Sequence, residues 1–161
     1  MSDAETGADD AAADDPHVET VRASGHEHVT AEHASTFEFT TDDWLTPAGD
    51  CIVAVEADRA PRDFSSEFRE ACRDPTATIV ATIVVDAGDE EFRASIAGRG
   101  DPGLTLLDDR SMVGRTSDYT DDERTILVDA DGAAADLDRD LVAALADGAP
   151  VTVRLAVEPA E

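Results

Sequence analysis

The stretch Thr78-Ile79-Val80-Ala81-Thr82-Ile83-Val84-Val85-Asp86-Ala87-Gly88-Asp89-Glu90-Glu91-Phe92-Arg93-Ala94-Ser95-Ile96 decides the fold. Ile79 to Val85 is apolar except for Thr82, rich in β-branched residues, and far too short to cross a bilayer. Because apolar residues do not alternate within it, it reads as a central strand covered on both faces. Asp86-Ala-Gly-Asp89 then reads as the loop of an antiparallel hairpin whose return strand holds Phe92 to Ile96.

Working outward, the same kind of short run recurs between Gly, Pro and Asp punctuation. Strands are expected at Val18–Ala23, Thr36–Thr41, Cys51–Glu56, Thr76–Val85, Glu91–Ala97, Met112–Thr116, Thr125–Val128 and Val151–Val157. Phe37 and Phe39 share one face of the second of these while Thr36, Glu38 and Thr40 take the other, so this strand covers a core on one side only. The last strand turns Val151, Val153, Leu155 and Val157 inward. Two helices interrupt the strands. Phe64, Phe68 and Cys72 recur at helical spacing after Pro61 and an expected Asp63 cap; Leu137, Leu141 and Leu145 do the same ahead of Gly148 and Pro150. Strands and helices do not alternate one for one, so the expected fold is α+β, mainly β: an antiparallel β-sandwich or barrel-like sheet with two amphipathic helices. No internal repeat is visible in the sequence. Residues 1–16 read as an acidic disordered tail and 17–161 as one globular β-rich domain.

Charge sets the environment. Thirty-eight acids against twelve bases, all twelve of them arginine, give a formal charge of -26. In concentrated salt the screening length falls to ~3 Å, so such a coat keeps a protein hydrated without bursting it. The composition therefore points to a halophilic, cytoplasmic protein with no membrane partner. It also excludes long-range electrostatic attraction to nucleic acid, leaving short-range recognition only. Cys51 and Cys72 form no Cys-x-x-Cys pair, which argues against zinc ribbons and disulfide scaffolds. The paired acids Asp42-Asp43, Asp108-Asp109 and Asp121-Asp122 read as solvated surface, and Trp44, the single tryptophan, as a core residue.

Three segments place polar residues where turns alone do not require them. In Gly25-His26-Glu27-His28-Val29-Thr30-Ala31-Glu32-His33, a strand would point His26 and His28 the same way, toward one metal that Glu32 or His33 could complete. His26, His28 and Glu32 partly resemble the metal pattern of the cupins. In Leu45-Thr46-Pro47-Ala48-Gly49-Asp50-Cys51-Ile52, a turn delivers Asp50 and Cys51 to the mouth of a strand. Together these give the candidate catalytic set His26, His33, Asp50 and Cys51: a histidine base, an orienting carboxylate and a thiol or metal-bound water, as in a small hydrolase or isomerase. No metal ligands are assigned, and no cofactor follows from the sequence.

The third segment runs Gly98-Arg99-Gly100-Asp101-Pro102-Gly103 and on through Arg115, Ser117 and Arg124. Glycine lets backbone amides approach an anion and arginine grips phosphate or carboxylate, so Arg99, Gly100, Asp101, Arg115, Ser117 and Arg124 are the candidate ligand-binding residues for a small anionic ligand, a nucleotide or an RNA end.

On Ala23-Ser-Gly-His26, Ala31-Glu-His33, Thr36–Thr40, Leu45–Ile52, Gly98–Pro102, Ser111-Met-Val113, Arg115-Thr-Ser117 and Ala133–Leu141, the chain resembles an archaeal family known as a domain of unknown function, number 371 in its series. The resemblance runs from about Val18 to the end. It implies a compact, mainly β domain and carries no reaction; its family-typical positions here are His26, His33, Asp50, Cys51, Arg99, Asp101, Arg115 and Ser117. All of the functional readings require these distant segments to meet in the folded chain.

Overall fold

A computed structural model describes residues 15–46 and 48–159. The expected acidic tail, apart from Asp15 and Pro16, lies outside the described residues, as does Pro47 of the turn before Asp50.

Every strand read from the sequence is present with its ends shifted by a residue or two: β1 Val18–Ser24, β2 Thr36–Thr40, β3 Ile52–Ala54, β4 Thr78–Asp86, β5 Glu91–Arg99, β6 Ser111–Arg115, β7 Thr125–Leu127 and β8 Pro150–Glu158. The two helices are α1, Ser66–Ala71, and α2, Arg139–Ala146, each preceded by a 3-10 turn, Pro61–Asp63 and Ala134–Asp136. Asp63 serves the 3-10 turn, its carboxylate accepting the Ala60 N–H at 2.9 Å. The cap of α1 is instead Ser65, whose hydroxyl accepts the Phe68 N–H. The chain begins its helix two residues later than the pattern implied because the 3-10 turn uses Asp63 first.

The strands form two four-stranded sheets, ordered β1-β8-β4-β5 and β3-β2-β6-β7. The first is antiparallel throughout. The second is mixed: β2 and β6 run antiparallel at its centre, but β3 and β7 join them in parallel. Their inner faces share one core that includes Phe37, Phe39, Ile79, Ile83, Met112, Leu127, Val153 and Leu155. Paired backbone bonds also stitch the sheets at both edges, Ser24 to Val55 and Arg99 to Val128, so the sandwich closes like a flattened barrel.

β4 is central, as expected, but only one of its faces is fully covered. Ile79, Ala81, Ile83 and Val85 are buried, while Val80, Thr82 and Val84 are half-exposed. α2 meets this sheet through the shared core, and Thr20, Arg22, Thr82, Val84 and Arg154 on the outer face stay exposed or half-exposed. Trp44 is likewise no core residue, being 56% exposed on the loop after β2. Phenylalanines and aliphatic strand residues already fill the interior.

The fold is also duplicated about a pseudo-two-fold axis, a repeat that the sequence hides. Both sheet orders are symmetric under exchange of β1–β4 with β5–β8. The backbone bonds repeat as well. Gly25 donates to Ala149 and Gly100 to Ala77; Glu38 donates to Cys51 and Val113 to Arg124; Asp58 donates to Arg22 and Asp131 to Ala97. Ala31 and Leu106 both adopt positive φ, as do Glu56 and Asp129. Even the lone buried hydroxyls correspond, Thr30 with Thr105. Side-chain identity has drifted while backbone hydrogen bonding, which the packed fold enforces, has not. The axis passes through two antiparallel pairs, Glu38–Val113 in one sheet and Thr82–Arg154 in the other.

Candidate functional site

At the Glu38–Val113 end of the axis, the outer face of β2 and β6 carries a connected set of polar side chains. Glu38 projects from the outer side of β2 because Phe37 and Phe39 claim the core. Its Oε1 accepts the Cys51 thiol at 3.4 Å, and its Oε2 lies 3.7 Å from Arg124 Nη1. Arg124 Nε also reaches Asp122 at 3.5 Å. Arg115, at the end of β6, bonds Asp122 at 2.6 Å and the Thr125 hydroxyl at 2.8 Å, with its guanidinium 4.8 Å from the Tyr119 ring. On the other side, His33 Nδ1 accepts the Ser35 and Thr36 N–H groups and lies 3.1 Å from Thr36 Oγ1. Two amide donors on Nδ1 leave the ring hydrogen on Nε2, the nitrogen free to donate outward.

The electrostatics follow from this packing. Burial, together with the Glu38 charge, pushes the Cys51 thiol up to about 11, so the sulfur is a protonated donor at neutral pH. Burial raises the Asp122 carboxyl too, but the Thr125 hydroxyl and Arg115 outweigh it and hold the group below its ordinary value. Arg115 is 14% exposed and locked on both edges, whereas Arg124 is 42% exposed and held only by long ion pairs. Arg115 and Arg124 offset Glu38 and Asp122, leaving Asp50 as the net negative charge of the set.

This is also where the halves differ. The repeat places Arg124 opposite Cys51, Arg115 opposite Thr40, and Val113 opposite Glu38. Chemistry has diverged at the axis while the surrounding backbone has not.

Of the residues expected from sequence, His33, Asp50, Cys51, Arg115 and Arg124 come together here. Asp50 contributes through its backbone, its carbonyl accepting the Glu32 and His33 N–H groups. His26 does not join them. It lies in a turn beyond β1, its Nδ1 accepting the His28 N–H, so the strand geometry that would aim His26 and His28 at one metal is not formed. Among the described residues no group of three or more His, Cys, Asp or Glu is placed to hold a metal ion.

Arg99, Gly100 and Asp101 lie apart from this set, at the seam between β5 and β7, whereas Ser117 touches it through its hydroxyl, which accepts the Tyr119 N–H at 3.4 Å. Arg99 bonds Asp129, Asp101 and the Gly100 carbonyl. Gly100 donates to Ala77, and a Cβ on it would stand 2.4 Å from the Cys72 and Asp74 carbonyls, so it is required for packing against the end of α1. The Asp101 carboxylate also caps Gly103, and the Ser117 carbonyl accepts the Asp129 N–H. Glu38, Thr36 and Asp122 were missed. Asp122 reads as half of a solvated pair, and only its turn onto Thr125 brings it under Arg115.

Fold and site together define an internally duplicated, mainly β domain with a polar set at one end of its pseudo-two-fold axis. The chain belongs to the family described as a domain of unknown function, DUF371, whose model matches residues 21–158. It is also 35% identical over 137 residues to an uncharacterised protein, MJ0206, of the archaeon Methanocaldococcus jannaschii, covering 85% of this chain and 97% of that one. No helix among the described residues is long and apolar enough to cross a membrane.

Proposed function

We propose that this domain binds a phosphate-bearing ligand, a nucleotide or an RNA end, at the axial set of Arg115, Arg124, Thr36 and His33. The observation that carries this reading is Arg124: a partly exposed guanidinium on loose ion pairs, with one edge free, beside a second arginine in an acidic protein. Arg115 shapes the set, donating to Thr125 and Asp122 while its guanidinium lies over the Tyr119 ring. His33 Nε2–H supplies a further outward donor. The acidic coat fits a cytoplasm of concentrated salt, where contact-range recognition survives screening.

A second reading, a small hydrolase or isomerase, draws on two adjacent contacts, His33 with Thr36 and the Cys51 thiol with Glu38. In it Glu38 would take the thiol proton as Cys51 attacks. With the thiol near 11, that reaction needs a ligand whose charge favours the thiolate, so binding comes first in either case.

Calorimetric titration with nucleoside 5′-phosphates and a 5′-phosphorylated oligoribonucleotide tests the proposal. Arg124→Ala should weaken binding by about tenfold or more, or ~1.4 kcal/mol, while Arg99→Ala should leave it unchanged. Equal affinity in native protein and Arg124→Ala would refute it.

A further inference from the structure

The opposite end of the axis carries a second surface. On the open face of the β1-β8-β4-β5 sheet, register aligns Thr20, Arg154, Thr82 and Ser95 in one row and Arg22, Thr152, Val84 and Arg93 in the next. A third row, Val18-Ala156-Val80-Ala97, is apolar and only partly open, Val18 and Ala156 being buried. These three rows contain three of the twelve arginines and no acid, although acids outnumber bases 38 to 12 in the chain. Acids return at the rim, at Asp86, Glu91 and Glu158 on the strands and at Asp58 and Asp131 along the two outer edges.

Ten arginines bond a described carboxylate or carbonyl through their side chains. The other two, Arg22 and Arg154, are diagonal neighbours at the centre of this face, both exposed. Such a surface calls for an anion.

One lies next to it in the chain. Residues 1–14 hold Asp3, Glu5, Asp9, Asp10 and Asp14 and no base. The Val18 N–H bonds the Asp15 carbonyl, so a turn reverses the chain just ahead of β1. The free edge of β1 is already occupied, because Asp58 bonds Arg22 N–H and C=O, and Arg59 bonds the Thr20 carbonyl. That leaves the face rather than the edge. At ~3.3 Å per residue the segment can span four strands ~4.8 Å apart, and the tether makes its effective concentration of millimolar order.

We propose that the acidic segment 1–14 docks across the open sheet face, its carboxylates on Arg22 and Arg154. The face is thereby shielded from other polyanions, which must displace a tethered competitor.

A spin label at Ser2→Cys in a Cys51→Ser background of the full chain reads this directly, Cys72 being buried. Amide signals of Thr20, Thr82 and Arg154 should weaken, while those of Glu38 and Val113 at the other end should not. The effect should vanish in Arg22→Gln/Arg154→Gln and in Asp9→Asn/Asp10→Asn/Asp14→Asn, with the remaining spectrum unchanged. Equal weakening at both ends, or weakening unaffected by either set of substitutions, overturns the proposal. So does a face untouched by the label whose signals shift on adding polyuridylate, an outcome that assigns the face to nucleic acid.

Discussion

The Cys51 thiol donates to Glu38 across the junction of β2 and β3, and this one contact ties the turn after Gly49 to the strand at the axis. The neighbouring backbone bond from Glu38 N–H to the Cys51 carbonyl holds the two residues in register. Together they make the sulfur a fixed hydrogen donor.

Alkylation by iodoacetamide should therefore be slow at neutral pH and climb with a midpoint of about 11. Burial is the larger cause and the Glu38 charge the next, so Glu38→Gln should lower the midpoint toward 9.0 without reaching it. Cys72 is buried and should stay unlabelled in the folded protein. A native midpoint near 9.0 would show that Cys51 is neither buried nor held by Glu38 in solution.

The duplicated backbone makes a paired prediction. Gly25 meets the Leu145 carbonyl of α2 as Gly100 meets the end of α1, with built Cβ distances of 2.0 and 2.4 Å. Backbone cannot yield as a side-chain tip can, so Gly25→Ala and Gly100→Ala should each cost at least ~1–3 kcal/mol. Gly132→Ala is the control: its nearest contact is 3.6 Å and its φ is not positive, so a change within about 0.5 kcal/mol is expected. Urea denaturation of the three variants checks this. A Gly100→Ala protein as stable as the control would remove the reading of Gly100 as a packing residue.

All eight strands and both helices were legible because their signals are local. Alternation at Phe37 and Phe39, the Asp86–Asp89 hairpin and the inward row of β8 are decided within a few residues. What the sequence hid depends on pairs far apart in the chain. Parallel addition of β3 and β7 leaves no mark on either strand, and one open face leaves β4 looking like a doubly covered strand because Val80 and Val84 are apolar anyway. The repeat is written in hydrogen bonds: His33 Nδ1 receives two amides just as the Asp108 carboxylate does, an imidazole and a carboxylate filling one structural role. The site divides the same way. Arg115 and Arg124 were identifiable as scarce cations, whereas Asp122 and Glu38 gain meaning only from what lies across the sheet.

Alkaline stability tests the core beneath α1. Burial first, then the charge of Glu19, pushes the Cys72 thiol up to about 12 from 9.0. Glu19 faces inward from β1, where it bonds Arg59 and the Ser65 N–H. A thiol whose folded pKa is raised stays protonated in the native state while the unfolded chain ionises, so its stabilising contribution is complete below pH 9 and disappears as pH rises toward 12. Cys51 adds to the same loss between about 9 and 11. The free energy of unfolding should thus fall steadily above pH 9, and Cys72→Ala should flatten the decline. Glu19→Gln separates the two causes: it should bring the Cys72 midpoint down, while the lost contacts to Arg59 and Ser65 lower stability at every pH. Denaturation at successive pH values, native against Cys72→Ala, is the measurement, and parallel curves for the two would show that this thiol is not the group that titrates.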